Sequence, residues 1–417
     1  MHELRNYGLV TAVYWAFTLT DGALRMLVLL HFHALGYSPL QLAFLFLFYE
    51  FFGIITNLVG GWVGARLGLN VTLWSGTALQ ILALLMLFGL DLHWSVGLST
   101  AYVMAAQALS GIAKDLTKMS AKSALKFLVP ADAHSALFRW VALLTGSKNA
   151  LKGVGFFLGG LLLELLGFHT SLLVMAGGLG AILLASLMLL PRAIGKAKQK
   201  PGFAALFAKS RDINVLSAAR CFLFAARDVW FVVGVPIFLA TTLGWNFTQV
   251  GSFLAVWIIG YGVVQSATPA LISRWTAGTV PTGRAAMVLA FVLTGITVLI
   301  PLGLHSGLPA GMTVLIGLGL FGVIFAVNSS VHSYLILAYS QGDEVATNVG
   351  FYYMANAGGR LTGTLMSGLA YQYGGFEACL WTSVMFSLLA GLASSWLPRR
   401  ASSLELTLLS PEGGGSD

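Results

Sequence analysis

Charged side chains are scarce in this chain. Asp, Glu, Lys and Arg make up 9% of the 417 residues, 57% are hydrophobic and mean hydropathy is +0.84, so there is too little polar surface to coat a soluble globule of this length. Cysteine is almost missing: Cys221 and Cys379 stand far apart, which excludes a disulfide framework and a cysteine metal site. There is no nucleotide-binding glycine loop and no metal-ligand spacing, and His31 and His33 have no acid beside them, so the chain reads as a non-enzyme with no cofactor and no metal. Alternating polar and apolar positions are lacking too, and the apolar runs far exceed the ~10 residues of a barrel strand.

What is present is a series of long apolar runs. A ~30 Å hydrocarbon core takes about 20 apolar residues per helix, and twelve such runs fit, at 7–32, 40–64, 71–90, 95–120, 136–165, 168–190, 213–240, 247–272, 285–304, 310–338, 345–372 and 375–397. The expectation is an all-α integral membrane protein with twelve transmembrane helices. The first run holds Asp21 and Arg25 and lacks a cleavage-site pattern, so it is read as a span and not as a signal peptide.

Basic residues set the expected orientation. Of the 23 Lys and Arg, Arg5, Arg66, Lys122, Lys126, Arg139, Arg192, Lys196, Lys198, Lys200, Lys209, Arg211, Arg274, Arg284, Arg399 and Arg400 fall in or beside the termini and the even-numbered loops. The other eight lie within helices, and the odd-numbered loops have none, which puts both termini in the cytoplasm. The net charge of +8 is thereby an orientation signal and implies no nucleic-acid partner.

The polar, basic stretch 191–212 (PRAIGKAKQKPGFAALFAKSRD) separates six runs from six, giving halves at 1–190 and 213–398 and a tail at 399–417, ending SPEGGGSD, that reads as disordered. A parallel repeat of six helices predicts matches between halves. Asp21 and Asp228, and Asn149 and Asn356, are each 207 positions apart, and Arg66 and Arg274 are 208 apart.

Ionisable groups at membrane depth carry the functional signal, because each costs at least ~2.5 kcal/mol unless it faces a partner or a polar cavity. The bases are Arg25, Lys114, Lys118, Lys148, Lys152, Arg220, Arg227 and Arg360; the acids are Asp21, Glu50, Asp115 and Asp228. Helical spacing puts Asp21 with Arg25, Lys148 with Lys152, Arg220 with Arg227, and Tyr353, Asn356 and Arg360 on common faces. The eight bases, Tyr353 and Asn356 form the candidate binding set for an anion; the four acids are the candidate proton-coupling groups. Glu50, amid FLFLFYEFFGII, sits in an apolar setting suited to proton exchange. Other readings stand beside these: Asp21–Arg25 and Arg227–Asp228 as structural ion pairs, Lys114 and Lys118 as snorkelling residues near the cytoplasmic face, and Glu50 held by Asn57. Lys148, Lys152 and Arg360 have no acid within a turn, so a distant helix or a ligand must supply the negative charge. Arginine forks suit the oxygens of phosphate or arsenate, and Trp257, Tyr261, Gln265, Asn328, His332 and Tyr352 are available to complete hydrogen bonding.

Gly61-Trp-Val-Gly-Ala-Arg66-Leu-Gly68 resembles the cytoplasmic loop of the major facilitator superfamily, with Ala65 where an Asp is usual. Gly146, Gly155 and Gly159 have the spacing of that superfamily's antiporter motif, but the Pro and Gly pair that follows in the motif is missing, and ordinary close helix packing through small residues is the favoured reading. The resemblance implies a path lined by helices 1, 4, 7 and 10 and flanked by 2, 5, 8 and 11, in a monomer that works by rocking one half against the other. More narrowly, TLTDGALRMLVLLHFHALGYSPLQLAFLFLFYEFFG, ALSGIAKDLTKMSAKSALK and LLTGSKNALKGVGFFLGG resemble the ArsJ-type organoarsenical exporters. Such a resemblance implies export of 1-arseno-3-phosphoglycerate across a bacterial inner membrane, functional pairing with the glyceraldehyde-3-phosphate dehydrogenase that makes this ester, and arsenate resistance. It assigns no residue roles. An ordinary organophosphate, such as phosphoglycerate or a sugar phosphate, is the alternative cargo for the same basic residues.

Overall fold

The computed structural model describes the backbone of residues 2–67, 69–91, 93–124, 134–190, 210–275, 281–340 and 345–398, with side-chain surroundings for most of these. The backbone of 61–67 belongs to helix, but the side-chain surroundings of 60–69, Arg66 included, lie outside the described residues, as do most of the 191–212 stretch and the 399–417 tail. Every regular element among those described is a helix: α1 (His2–Ala34), α2 (Pro39–Leu45), α3 (Leu47–Leu67), α4 (Leu69–Phe88), α5 (Val96–Ala124), α6 (His134–Leu189), α7 (Arg211–Phe231), α8 (Gly234–Thr241), α9 (Phe247–Trp275), α10 (Gly283–His305), α11 (Ala310–Ala338) and α12 (Val345–Ser394).

Ten helical stretches among the described residues are long and apolar enough to cross a membrane. Two of them, Ser147–Leu189 (43 residues) and Asn348–Ser394 (47 residues), are about twice the length one crossing needs. The sequence leaves only residues 166–167 and 373–374 between these paired spans, and the helical stretches break at or beside those residues. α6 is broken at the single residue Gly167 (φ 73°), and α12 at Gly374 and Gly375 (φ 66°). Only glycine takes such positive φ values without strain. Conversely, the seventh run splits into α7 and α8, because Pro236 has no N–H to offer the Val232 carbonyl. Ser367 Oγ accepts from the freed N–H groups of Val233 and Gly234, both at 3.2 Å.

Close helix contacts follow the small residues. A methyl at Gly22 would lie 2.7 Å from the Lys152 carbonyl oxygen, and one at Gly155 would lie 3.1 Å from the Ala23 amide, so α1 and α6 touch along their backbones. Gly155 and Gly159 thus serve close contact between helices. Gly363 plays the matching part for α12 on α7, where a methyl would meet the Ala225 carbonyl at 2.9 Å. Further contacts pair α6 with α9 and α12 with both α2 and α3.

At one end of the bundle a single apolar cluster joins Leu27 and Phe32 of α1, Phe46, Phe156 of α6, Trp230 and Phe231 of α7, Trp257 of α9 and Phe321 of α11. Toward the end carrying the N-terminus the clusters are separate. One gathers Val10, Val13, Tyr14, Leu73, Ala121 and Leu190; the other gathers Ile213, Leu216, Ala286, Val331, Leu335 and Tyr352.

Candidate functional site

The middle of the bundle holds a continuous chain of charges. Glu50 of α3 is fully buried, and its Oε1 accepts from Arg25 Nη1 of α1 at 3.2 Å and Arg360 Nη2 of α12 at 2.5 Å. Arg360 Nε also donates to Asp228 Oδ2 of α7 at 3.4 Å, while Arg227 Nε donates to Asp228 Oδ1 at 2.6 Å. Two acids and three arginines from four helices therefore form one network, with Arg360 at its centre. Arg25 turns to Glu50 and away from Asp21, its neighbour in sequence. Asp21 instead accepts the Tyr49 hydroxyl at 2.7 and 3.0 Å. The Tyr49 ring lies between cations, 3.9 Å from Lys114 Nζ and 5.6 Å from the Arg25 guanidinium, an arrangement its negative faces favour.

A second cluster sits nearer the N-terminal end. Asp115 Oδ1 accepts from Lys118 Nζ at 2.6 Å, and its Oδ2 accepts from Thr56 Oγ1 at 2.9 Å and Asn57 Nδ2 at 3.3 Å. Lys118 donates to Asn57 Oδ1 at 2.8 Å and lies 5.5 Å from the Tyr353 ring across the bundle. Lys118 is therefore held inside by partners and does not snorkel outward. Asn57 is engaged here, and the hydrogen bonds to Glu50 among the described residues come from Arg25 and Arg360.

Arg220 is built into a neutral cradle. Its Nε donates to Asn356 Oδ1 at 2.9 Å, and its Nη1 to Ser329 Oγ and the Ser329 carbonyl at 2.9 and 3.1 Å. Phe224 and Tyr352 lie against the guanidinium at 4.1 and 5.1 Å. Gln265 extends the chain, donating to Ser329 Oγ at 3.4 Å and accepting from Asn149 Nδ2 at 3.1 Å. The two asparagines that match in sequence thus stand at the two ends of one hydrogen-bond chain. Tyr261 approaches Ser329 at 3.3 Å, whereas Trp257 donates to the Leu318 carbonyl at 2.8 Å and is occupied structurally. Asn328 and His332 are fully buried one turn apart on α11, with no hydrogen-bond partner for their side chains among the described residues.

Lys152 is half-buried on α6, 5.7 Å from the Phe156 ring, with Lys148 one turn before it. Among the described residues Lys114, Lys152 and Arg220 have no carboxylate within ion-pair distance. All fourteen residues singled out in the sequence are at least partly buried. The arrangement joins ten of them in two groups: Asp21, Arg25, Glu50, Lys114, Arg227, Asp228 and Arg360 through the central network and Tyr49, and Asp115, Lys118 and Tyr353 nearer one end, while Arg220 and Asn356 form the neutral cradle. Tyr49 and Ser329 escaped the sequence reading, because neither carries charge and each sits in an apolar or small-residue run. Chemically, the described interior offers hydrogen-bond donors and an excess of positive charge.

A family model for the Major Facilitator Superfamily matches residues 10–332. No curated protein matches the chain. Solved structures with the same fold include a bacterial homologue of the iron transporter ferroportin in an inward-facing state, 17% identical, with 94% of this chain and 98% of that one covered and a TM-score of 0.68. A POT family transporter in complex with 5-aminolevulinic acid is 12% identical over 93% of this chain and 95% of that one, with a TM-score of 0.74. Identities this low carry the fold alone.

Proposed function

The chain belongs to the Major Facilitator Superfamily, a family of transporters and not of enzymes, and from that premise we propose that this secondary transporter exports a small organic oxyanion, 1-arseno-3-phosphoglycerate, by alternating access. The observation that carries the reading is the charge excess at membrane depth, eight bases against four acids, with Lys114, Lys152 and Arg220 lacking a carboxylate partner among the described residues. Four unbalanced cations cost on the order of 10 kcal/mol on insertion scales. A dianion in the cavity offsets that cost, and an organic cation adds to it.

The long stretches broken at Gly167 and at Gly374–Gly375 are each two crossings in this reading, giving twelve spans in two six-helix halves with both termini cytoplasmic in a bacterial inner membrane. The repeated contacts, α1 on α6 and α7 on α12, support the division. Arg360 then ties Glu50 of one half to Asp228 of the other. An incoming oxyanion competes with these carboxylates for Arg25 and Arg360, and a proton on Glu50 releases both arginines to it. That exchange couples cargo to protons, with Asp21, Asp115 and Asp228 as the other coupling acids. Arg220, held by uncharged groups, presents its remaining donors to the cargo's second anionic group. The monomer exports the ester that a glyceraldehyde-3-phosphate dehydrogenase makes, which confers arsenate resistance.

Purified protein supplies the test. Phosphorylated three-carbon acids at a hundred times their dissociation constant are expected to stabilise it by about 2.7 kcal/mol, and Lys152→Ala and Arg220→Ala are expected to weaken this, whereas a lipophilic organic cation gives none. Stabilisation by the cation and by no oxyanion overturns the reading.

A further inference from the structure

The end of the bundle closed by the single apolar cluster carries two matching latches. Helix α2 begins with a capping box: Ser38 N donates to Gln41 Oε1 at 2.8 Å, and Gln41 N to Ser38 Oγ at 3.3 Å. Helix α9 begins with the same device, Asn246 N to Gln249 Oε1 at 3.0 Å and Gln249 N to Asn246 Oδ1 at 2.8 Å. Such a box satisfies the third amide of the helix and leaves the second without a partner. In both cases that amide is taken by a side chain from a distant helix. Leu40 N donates to Gln372 Oε1 of α12 at 3.2 Å; Thr248 N and Thr248 Oγ1 donate to Glu164 Oε2 of α6 at 3.1 and 2.6 Å.

One turn below each acceptor, a glycine lets the backbones meet: Gly368, where a methyl would lie 2.7 Å from the Pro39 carbonyl oxygen, and Gly160, which faces the Phe247 carbonyl. Ser38 with Asn246, Gln41 with Gln249, Leu40 with Thr248, Gly160 with Gly368 and Glu164 with Gln372 are all 208 positions apart. The left-handed glycines Gly36 and Gly244, which end the preceding helices, share that spacing. The repeat is therefore closest where the chain joins its two halves at this end.

We propose that Glu164 and Gln372 are a symmetric pair of latches, each capping the exposed N-terminus of a helix in the opposite half, and that together they hold this end of the transporter shut. The proposal rests on the two-half, alternating-access reading and is independent of the cargo. Opening this end withdraws α2 from α12 and α9 from α6, which strands the Leu40 and Thr248 amides unless water replaces the side chains. The two latches differ in kind: one uses a carboxylate that takes two hydrogen bonds, the other an amide that takes one. Loss of Glu164 therefore has the larger effect, about tenfold in the ratio of open to closed molecules.

The test needs no substrate. Leu35 and Thr242, exposed at the ends of the paired first and seventh spans, are changed to Cys in a Cys221→Ser, Cys379→Ser background and spin-labelled in nanodiscs. The Glu164→Ala, Gln372→Ala variant is expected to gain a population with a longer label-to-label distance, Glu164→Ala alone a smaller one, and Glu164→Gln, which keeps an oxygen acceptor, almost none. A distance distribution unchanged from the parent in the double variant overturns the proposal. Where the double variant yields no folded protein, Glu164→Ala and Thr248→Val decide it: a longer-distance population supports the latch, and its absence in both overturns it.

Discussion

Replacing Glu50 by Gln tests the idea that a carboxylate inside this protein competes with an anionic cargo for the same arginines. The carboxylate is fully buried, and one oxygen serves both Arg25 and Arg360. The amide matches its shape, keeps one acceptor and removes the charge. Arg25 is then left without a carboxylate at ion-pair distance among the described residues, whereas Arg360 keeps Asp228 at 3.4 Å. Removing one partner of a buried pair costs roughly 3–5 kcal/mol, and the retained Asp228 contact puts the expected loss near ~3 kcal/mol. Thermal unfolding at a fixed scan rate in detergent reads this as a lower midpoint. The same change frees two arginines for an oxyanion, so binding of phosphorylated three-carbon acids to Glu50→Gln is expected to tighten by on the order of tenfold, about 1.4 kcal/mol, while proton-driven transport fails. A variant as stable as the parent, or one that binds the anion more weakly, refutes the competition between Glu50 and cargo.

Tyr49→Phe removes the hydroxyl that Asp21 accepts and leaves the ring beneath Lys114; a buried carboxylate without this donor is expected to cost about 1–3 kcal/mol in stability, measured as a lower unfolding midpoint. Arg220→Lys keeps the charge but not the fork to Asn356 and Ser329, so the KM for cargo is expected to rise at least tenfold with membrane abundance unchanged. Lys152→Ala, removing a half-buried cation that has no carboxylate at ion-pair distance among the described residues, is expected to weaken anion-dependent stabilisation without loss of fold. Gly155→Leu places a branched side chain where even a methyl would lie 2.5 Å from the Leu19 carbonyl oxygen of α1, and it is expected to lower the unfolding midpoint through overpacking of about 1–3 kcal/mol or more.

Much of the fold was legible because lipid leaves the sequence few choices: every crossing must be a helix of about 20 apolar residues. The expected span 310–338 coincides with α11, and 247–272 falls within α9. What composition could not show was how the backbone turns at the two-residue joints. Gly167 and Gly375 each turn the chain with a positive φ, a conformation glycine permits and never announces among 49 glycines. Pro236 did signal a break, but inside a run whose uniform apolarity hid it. In the candidate site, charge at depth picked out residues that the fold at least partly buries, since burial makes such residues costly and therefore rare. Partnership was not legible. Helical spacing suggested Asp21 for Arg25, and the actual partner is Glu50, because a neighbouring helix brings its carboxylate closer than the turn below does. Likewise Arg360, with no acid nearby in sequence, is paired twice by distant helices. Neutral members such as Tyr49 and Ser329 gave no signal, since their part depends on which charged groups the fold brings beside them.

The most direct measurement is arsenic efflux from an exporter-deficient bacterial strain given arsenate, with this chain expressed alone and together with a glyceraldehyde-3-phosphate dehydrogenase. The account predicts efflux and resistance only when both proteins are present, and their loss in Arg360→Ala at equal membrane abundance. Correctly inserted protein that moves no arsenical with the dehydrogenase present, or that instead expels organic cations, contradicts it.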